Sequence, residues 1–314
     1  MNPSSASLAP AKLNLFLYVI GKRGDGYHEI VTLMQKVSLY DRISVALEET
    51  GEGSSSAPAI DIRITDLTGR GQPEPAQKGE GRRGGDGKID ASEGIPTDER
   101  NTTYTAAKLF FRHRGVKMRK VTIEIEKHIP VESGMGGASS DAACVLRMLN
   151  GLVPAYTDEQ LFGLSKSVGS DVPFFMTEGA GLVSGRGDAV KPVMIGCPLH
   201  YVVIKPDFGI STTWAYSQLK IVTENKLPSL CELAIYTEDD IMRCLRNDLE
   251  MVTGRHTPAI KAIKERLLSF GAKAAMMTGS GSCIFGIFRK EQEAETVFKR
   301  MSTEYTSVYK LRGI

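Results

Sequence analysis

The segment Pro130-Val131-Glu132-Ser133-Gly134-Met135-Gly136-Gly137-Ala138-Ser139-Ser140-Asp141 constrains this chain more than any other. Ahead of it, Val121, Ile123 and Ile125 alternate with Thr122, Glu124 and Glu126, the period-two pattern of a half-buried strand. Behind it, Ala142 to Asn150 predicts a helix, with Ser139 as N-cap and Gly151 as the stop. A strand, a glycine-rich turn and a helix N-terminus together form an anion cradle. Glycine lets the backbone approach a phosphate, and the unpaired N–H groups of the first turn point at it. No GxxxxGK[ST] is present, so this is not a Walker A loop. The plain alternative is a glycine-rich turn with an ordinary Ser cap.

Composition narrows the class. The 314 residues suffice for two domains, and 41% hydrophobic with 24% charged residues is ordinary for a soluble globular protein. A net charge of +2 supplies no field for wrapping nucleic acid. Met1 to Pro10 lacks the charged and apolar regions of a signal peptide, and no apolar run is long enough to span a bilayer. Five cysteines without a CxxC pair read as reduced thiols of a cytoplasmic protein. The reading is therefore cytoplasmic, with no nucleic-acid or membrane partner.

Two motif matches carry no weight. Gly79-Glu80-Gly81-Arg82-Arg83-Gly84 satisfies GxGxxG, but no strand precedes it and no helix follows. It lies in a Gly-, Pro-, Arg- and Glu-rich stretch, read as a flexible insertion over about 66–97 without a nucleotide role. The sequon at Asn101 has no meaning in a chain that shows no sign of secretion. Elsewhere, strands are predicted at Lys12–Ile20, Arg42–Leu47, Ile60–Ile64, Tyr201–Ile204 and Ile284–Phe288. Helices are predicted at Thr102–Arg114, Asp158–Val168 and near 237–245, 258–269 and 290–301. This irregular mixture predicts an α+β fold, with a domain boundary near 190.

Further segments carry chemistry. Lys12 and Asn14 are two apart on a strand, so a cation and an amide leave the same face. Asp171 sits between Gly169-Ser170 and the apolar Val172-Pro173-Phe174-Phe175, so a turn delivers its carboxylate into apolar surroundings. Gly134, Gly136 and Gly137 offer N–H groups, and Ser139 and Ser140 add hydroxyls, with Ser140 a candidate Mg²⁺ ligand. Asp141, in the first turn, most simply complements the helix dipole. Gly279-Ser280-Gly281-Ser282 precedes an apolar strand and suits either a second nest of N–H groups or a hairpin turn. Tyr27 and His28 follow Gly24 and Gly26 and project an aromatic face and an imidazole from an exposed loop.

In this order, the blocks at Ala9–Leu17, Gly21–Glu29, Pro130–Asp141, Gly169–Phe175 and Gly279–Cys283 resemble the GHMP small-molecule kinases. The Gly21–Glu29 and Gly169–Phe175 blocks are most similar to the branch that phosphorylates a cytidine diphosphate-linked polyol in non-mevalonate isoprenoid precursor biosynthesis. The resemblance covers nearly everything except about 66–97. It implies a ribosomal S5 domain 2-like N-terminal domain (1–190), a ferredoxin-like C-terminal domain (191–314), and an active site between them. It further implies ATP and Mg²⁺ as cofactors, Asp171 as base and Lys12 as its active-site partner. ATP would be held by Pro130, Gly134, Met135, Gly136, Gly137, Ala138, Ser139 and Ser140. The resemblance places substrate on Asn14, Tyr27, His28, Thr212 and Tyr216, with the 279–282 loop supporting the first. Glu132, Ser133 and Ala138 stand where the family is richer in glycine. Two alternatives stay open: a GHMP kinase for another alcohol, such as a mevalonate derivative or homoserine, and a non-catalytic metabolite sensor on the same fold.

Overall fold

The computed structural model describes residues 3–49, 58–68, 88–89, 94–112, 118–219 and 233–314. In chain order these form β1 (Ser4–Lys22), β2 (His28–Glu49), β3 (Ala59–Asp66), β4 (Lys88–Ile89), α1 (Thr102–Arg112), β5 (Met118–Lys127), α2 (Gly137–Leu152), α3 (Asp158–Val168) and α4 (Val172–Phe175). There follow β6 (Ala180–Gly185), β7 (Ala189–Ile195), β8 (His200–Ile204), β9 (Gly209–Ile210), α5 (Thr212–Ser217), β10 (Ile235–Tyr236) and α6 (Glu238–Cys244). The last elements are α7 (Asp248–His256), α8 (Pro258–Ser269), β11 (Ala274–Met277), β12 (Ile284–Phe288), α9 (Glu291–Met301) and β13 (Val308–Arg312).

The predicted α+β fold is observed as two layered sheets. The first runs β10-β7-β6-β2-β5-β3, with β1 pairing on β2, and the second runs β11-β12-β8-β13. Helices α1 and α2 bury Phe110, Leu146 and Leu149 in a core shared with β2, β3 and β5, to which α3 adds Leu161 and α4 Phe174. A second core of Leu13, Phe16, Tyr201 and Phe285 fills the space between β1 and the second sheet. The far face of that sheet packs on α8 and α9 through Ile263, Leu267 and Val297.

Strands β1 and β2 are much longer than the sequence patterns predict. Both faces of their central parts are covered, so Ala11–Val19 and Ile30–Val37 are continuously buried. That abolishes the period-two signal by which half-buried strands are recognised. Residue 190, the expected boundary, lies inside β7, and the chain enters the second sheet at β8.

Helix α2 begins earlier and ends later than expected. Its N-cap is Gly136, in the left-handed region at φ 74°, not Ser139, which lies in the first turn; Gly151 is helical, not a stop. Helix α3 matches its prediction and carries a full capping box between Thr157 and Gln160. Most of the insertion, the rejected GxGxxG included, lies outside the described residues, as do His113 and Cys231. Of its described remainder, Lys88–Ile89 pairs with Gly209–Ile210. Among the described residues the cysteines are free thiols, and no helix is long and apolar enough to cross a membrane.

Candidate active site

A cleft of about 830 Å³ opens where the two glycine loops meet β1, and its walls bring most of the candidate residues together. Lys12, Asn14, Pro130, Gly134, Gly136, Gly137, Ala138, Ser139, Asp171, Thr212, Tyr216, Gly279, Ser280 and Gly281 all line it. Gly94, Ile95 and Pro96 do so too, so the C-terminal end of the 66–97 insertion reaches the cleft.

Strand β1 supplies the charged centre. Lys12 is only 3% exposed, and its Nζ lies 3.6 Å from Asp171 Oδ2 and donates to Asn14 Oδ1 at 2.6 Å. Burial pushes the Lys12 ammonium down, while Asp171 acts in the opposite sense. Asn14 Nδ2 donates to Thr32 Oγ1 at 2.8 Å, and Thr278 Oγ1 donates to Asn14 Oδ1 at 3.2 Å. The amide is thereby fixed with its oxygen towards Lys12. Asp171 occupies the N-cap position of α4, yet its side chain caps nothing there. Its carboxylate remains available to the cleft.

The two glycine loops are built as one unit. Ser282 N–H donates to Glu132 O (3.2 Å) and Cys283 N–H to Ser133 O (3.1 Å). A Cβ on Gly134, at φ +72°, would lie 2.1 Å from the Thr278 carbonyl oxygen, so only glycine permits this approach. Behind the second loop, the buried Asn247 donates through Nδ2 to Met277 O (2.7 Å) and Gly279 O (2.8 Å). The first-turn N–H groups of α2 lack intrahelical acceptors by geometry, and Gly137, Ala138 and Ser139 of that turn line the cleft. Met135, Ser140, Ser282, Tyr27 and His28 do not line the cleft. The Met135 side chain is in the core while its carbonyl accepts from Lys12 N–H (2.9 Å), and Ser282 Oγ donates to Phe208 O (2.5 Å).

Asp141 does something other than complement the helix dipole. Its side chain is on the buried face of α2, where Lys127 Nζ donates to Asp141 Oδ2 (2.8 Å) and to Asp41 Oδ2. Asp41 Oδ1 in turn accepts the His128 and Ile129 N–H groups. Burial raises the Asp141 pKa; for Lys127 burial acts downward, but Asp141 and Asp41 outweigh it and the net shift is upward. Asp141 Oδ1 and Ser140 Oγ are buried without a hydrogen-bond partner. Glu132, at φ 50°, lies against Gly209, with burial raising its pKa and Lys205 opposing.

At the other end, His28 opens β2 and stacks on Tyr216, ring centroids 4.9 Å apart and planes 29° from parallel. Tyr27 is 51% exposed, with the Arg186 guanidinium 5.7 Å from its ring centroid. Burial lowers the His28 pKa, with Lys22 adding to it, and burial raises that of Tyr216. Arg23, in the loop ahead of Tyr27, is paired with Asp25 and Glu29. Thr212 Oγ1 and Ser280 Oγ are 2.8 Å apart, joining α5 to the second loop. Sequence reasoning missed Thr32, Asn247 and Thr278, whose partners lie far along the chain; only Asn247, just ahead of α7, offered a cap signal.

Comparison with known proteins accords with this geometry. Residues 101–179 match the family model for the GHMP kinase N-terminal domain, and residues 235–307 that for the C-terminal domain. The 4-diphosphocytidyl-2-C-methyl-D-erythritol kinase of Syntrophotalea carbinolica is 35% identical, over 94% of this chain and 94% of its own. That of Shouchella clausii is 36% identical, over 98% and 93%. A crystal structure of 4-(cytidine 5'-diphospho)-2C-methyl-D-erythritol kinase superposes with a TM-score of 0.74 at 28% identity, covering 99% of this chain and all of that one.

Proposed function

Because the chain belongs to the 4-diphosphocytidyl-2-C-methyl-D-erythritol kinases of the GHMP superfamily, we propose that it transfers the γ-phosphoryl group of ATP to the 2-hydroxyl of that cytidyl polyol. The observation that carries the proposal is the Lys12–Asp171 pair, set in the cleft beside two interlocked glycine loops. Asp171 accepts the proton of the attacking hydroxyl, and Lys12, 3.6 Å away, holds that carboxylate in place. Asn14 holds Lys12 in place through the 2.6 Å hydrogen bond. The N–H groups of Gly136, Gly137 and Ala138 receive the triphosphate, aided by the second loop. Phosphoryl transfer passes through a loose transition state, so positioning and charge neutralisation supply most of the catalysis.

The family implies Mg²⁺, and two oxygens here fit it. Ser140 Oγ and Asp141 Oδ1 are hard donors, buried and unpartnered at the head of α2, and would hold the ion. When bound, the ion would supply positive charge against the triphosphate. Cytidine recognition falls to Tyr27, His28 and Tyr216, where the imidazole reads the pyrimidine edge and the aromatic rings supply stacking faces.

ADP release with ATP and Mg²⁺ tests this reading when the cytidyl polyol, mevalonate and homoserine are compared. Turnover with the cytidyl compound alone, its KM raised in His28→Ala without a change for ATP, is expected. Turnover with another alcohol would overturn the substrate assignment, and no ADP release with any alcohol would overturn the kinase reading.

A further inference from the structure

Lys12 and Lys36 are direct cross-strand partners in the β1–β2 ladder, and both are buried, at 3% and 6% exposure. Like charges placed opposite each other destabilise a strand pair, so such an arrangement needs a compensating partner for each. That partner is the single-turn helix α4. Its leading residue, Asp171, faces Lys12. At its other end, Lys36 Nζ donates to Phe175 O (3.4 Å) and to Thr177 O, and Arg147 Nη2 donates to the same Phe175 carbonyl at 3.0 Å. The Lys36 ammonium also lies 5.9 Å from the Phe174 ring centroid. The Phe175 ring packs beside Gly136 of the phosphate loop, where an added Cβ would come within 2.9 Å of it. A four-residue helix is about 6 Å long, so a shift at its Phe175 end carries through to Asp171 and the loop together.

We propose that Lys36 is a positioning residue for phosphoryl transfer, anchoring the carbonyl end of α4 so that Asp171 meets Lys12 in register. The proposal rests on the reading of Asp171 as base. The charged groups around Lys36 are Lys12 on β1, Arg147 on α2 and Glu178 after α4. Burial, reinforced by Arg147 and opposed by Glu178, pushes Lys36 down to about 8. Its anchoring ammonium is therefore present below that pH and is lost as pH rises through it.

The test is the pH dependence of kcat in wild type, Lys36→Met, Lys36→Arg and Asp171→Asn, with folding followed by circular dichroism. Lys36→Met should lower kcat by about tenfold at neutral pH while the KM for ATP stays within about threefold, because the loss is in alignment and not in binding. Lys36→Arg should recover most of that loss and move the alkaline limb upward, because a guanidinium stays protonated. If Lys36→Met does not fold, Arg147→Met removes the other donor to the Phe175 carbonyl and should lower kcat by about threefold. An inactive Asp171→Asn beside Lys36 variants with unchanged kcat and an unmoved limb would overturn the role of Lys36 alone. A fully active Asp171→Asn would overturn the base and this proposal with it.

Discussion

Replacing Gly134 by alanine tests the idea that two glycine loops form one phosphate site. The residue has φ +72°, and its added methyl would stand 2.1 Å from the Thr278 carbonyl oxygen, where real Cβ contacts essentially never fall below 3.0 Å. The left-handed conformation alone costs an alanine about 1–2 kcal/mol. Relieving the overlap requires the loops to part by roughly an ångström, a misplacement that can reduce rates by about 100-fold, or about 2.7 kcal/mol in the barrier. The 3.2 and 3.1 Å hydrogen bonds from Ser282 and Cys283 to the first loop lie on this same seam and lengthen together. In Gly134→Ala, kcat/KM for ATP should therefore fall by about two orders of magnitude, and Tm by roughly 5 °C. Gly151→Ala is the internal control. It lies in α2 with nothing within 4 Å of its added methyl, and should gain about 0.5–1 kcal/mol with activity unchanged. Steady-state ADP release and thermal melting of both variants decide the matter. A Gly134→Ala enzyme within threefold of wild type and with an unchanged Tm would refute the reasoning.

Two further outcomes are expected. Burial raises Asp141 to about 7, so in the metal-free protein its neutral form favours the folded state at and below the ordinary carboxylate range, and that stability is lost as pH rises towards 7. Urea unfolding at pH 5 and pH 8 should show wild type losing stability across this window, and Asp141→Asn should not show that loss. Asn247→Leu strips the Met277 and Gly279 carbonyls of their buried donor and should destabilise by about 2–4 kcal/mol. It should also raise the KM for ATP, and an unaltered urea midpoint with an unaltered KM would remove its role in shaping the loop.

The local part of this architecture is legible in the sequence. Alternation in 121–126, the helical pattern over 158–168 and the glycines of both loops each act within a few residues, and the strand, the helix and the loops stand where the pattern puts them. What escaped depends on distant partners. Ser139 has the chemistry of an N-cap, yet Gly136 takes the position because only a left-handed residue there turns the loop past Phe175 and Lys12. Asp141 looked like a dipole companion because its true partners, Lys127 and Asp41, lie 14 and 100 positions earlier. The Ile30–Val37 stretch hid as a strand because both its faces are covered, and only the fold supplies the second cover. Of the proposed site, the Lys12–Asn14 spacing was readable, whereas the meeting of Lys12 with Asp171 required the two chain segments to be brought together.

The most direct test of the central claim is a rapid-quench single turnover of Asp171→Asn with ATP, Mg²⁺ and 4-diphosphocytidyl-2-C-methyl-D-erythritol, alongside nucleotide affinity measured by calorimetry. The expected result is ATP affinity within about threefold of wild type with phosphoryl transfer slowed by about 100-fold or more, as for loss of a general base. Transfer at close to the wild-type rate would contradict the assignment of Asp171, and with it the chemistry proposed for the Lys12–Asp171 pair.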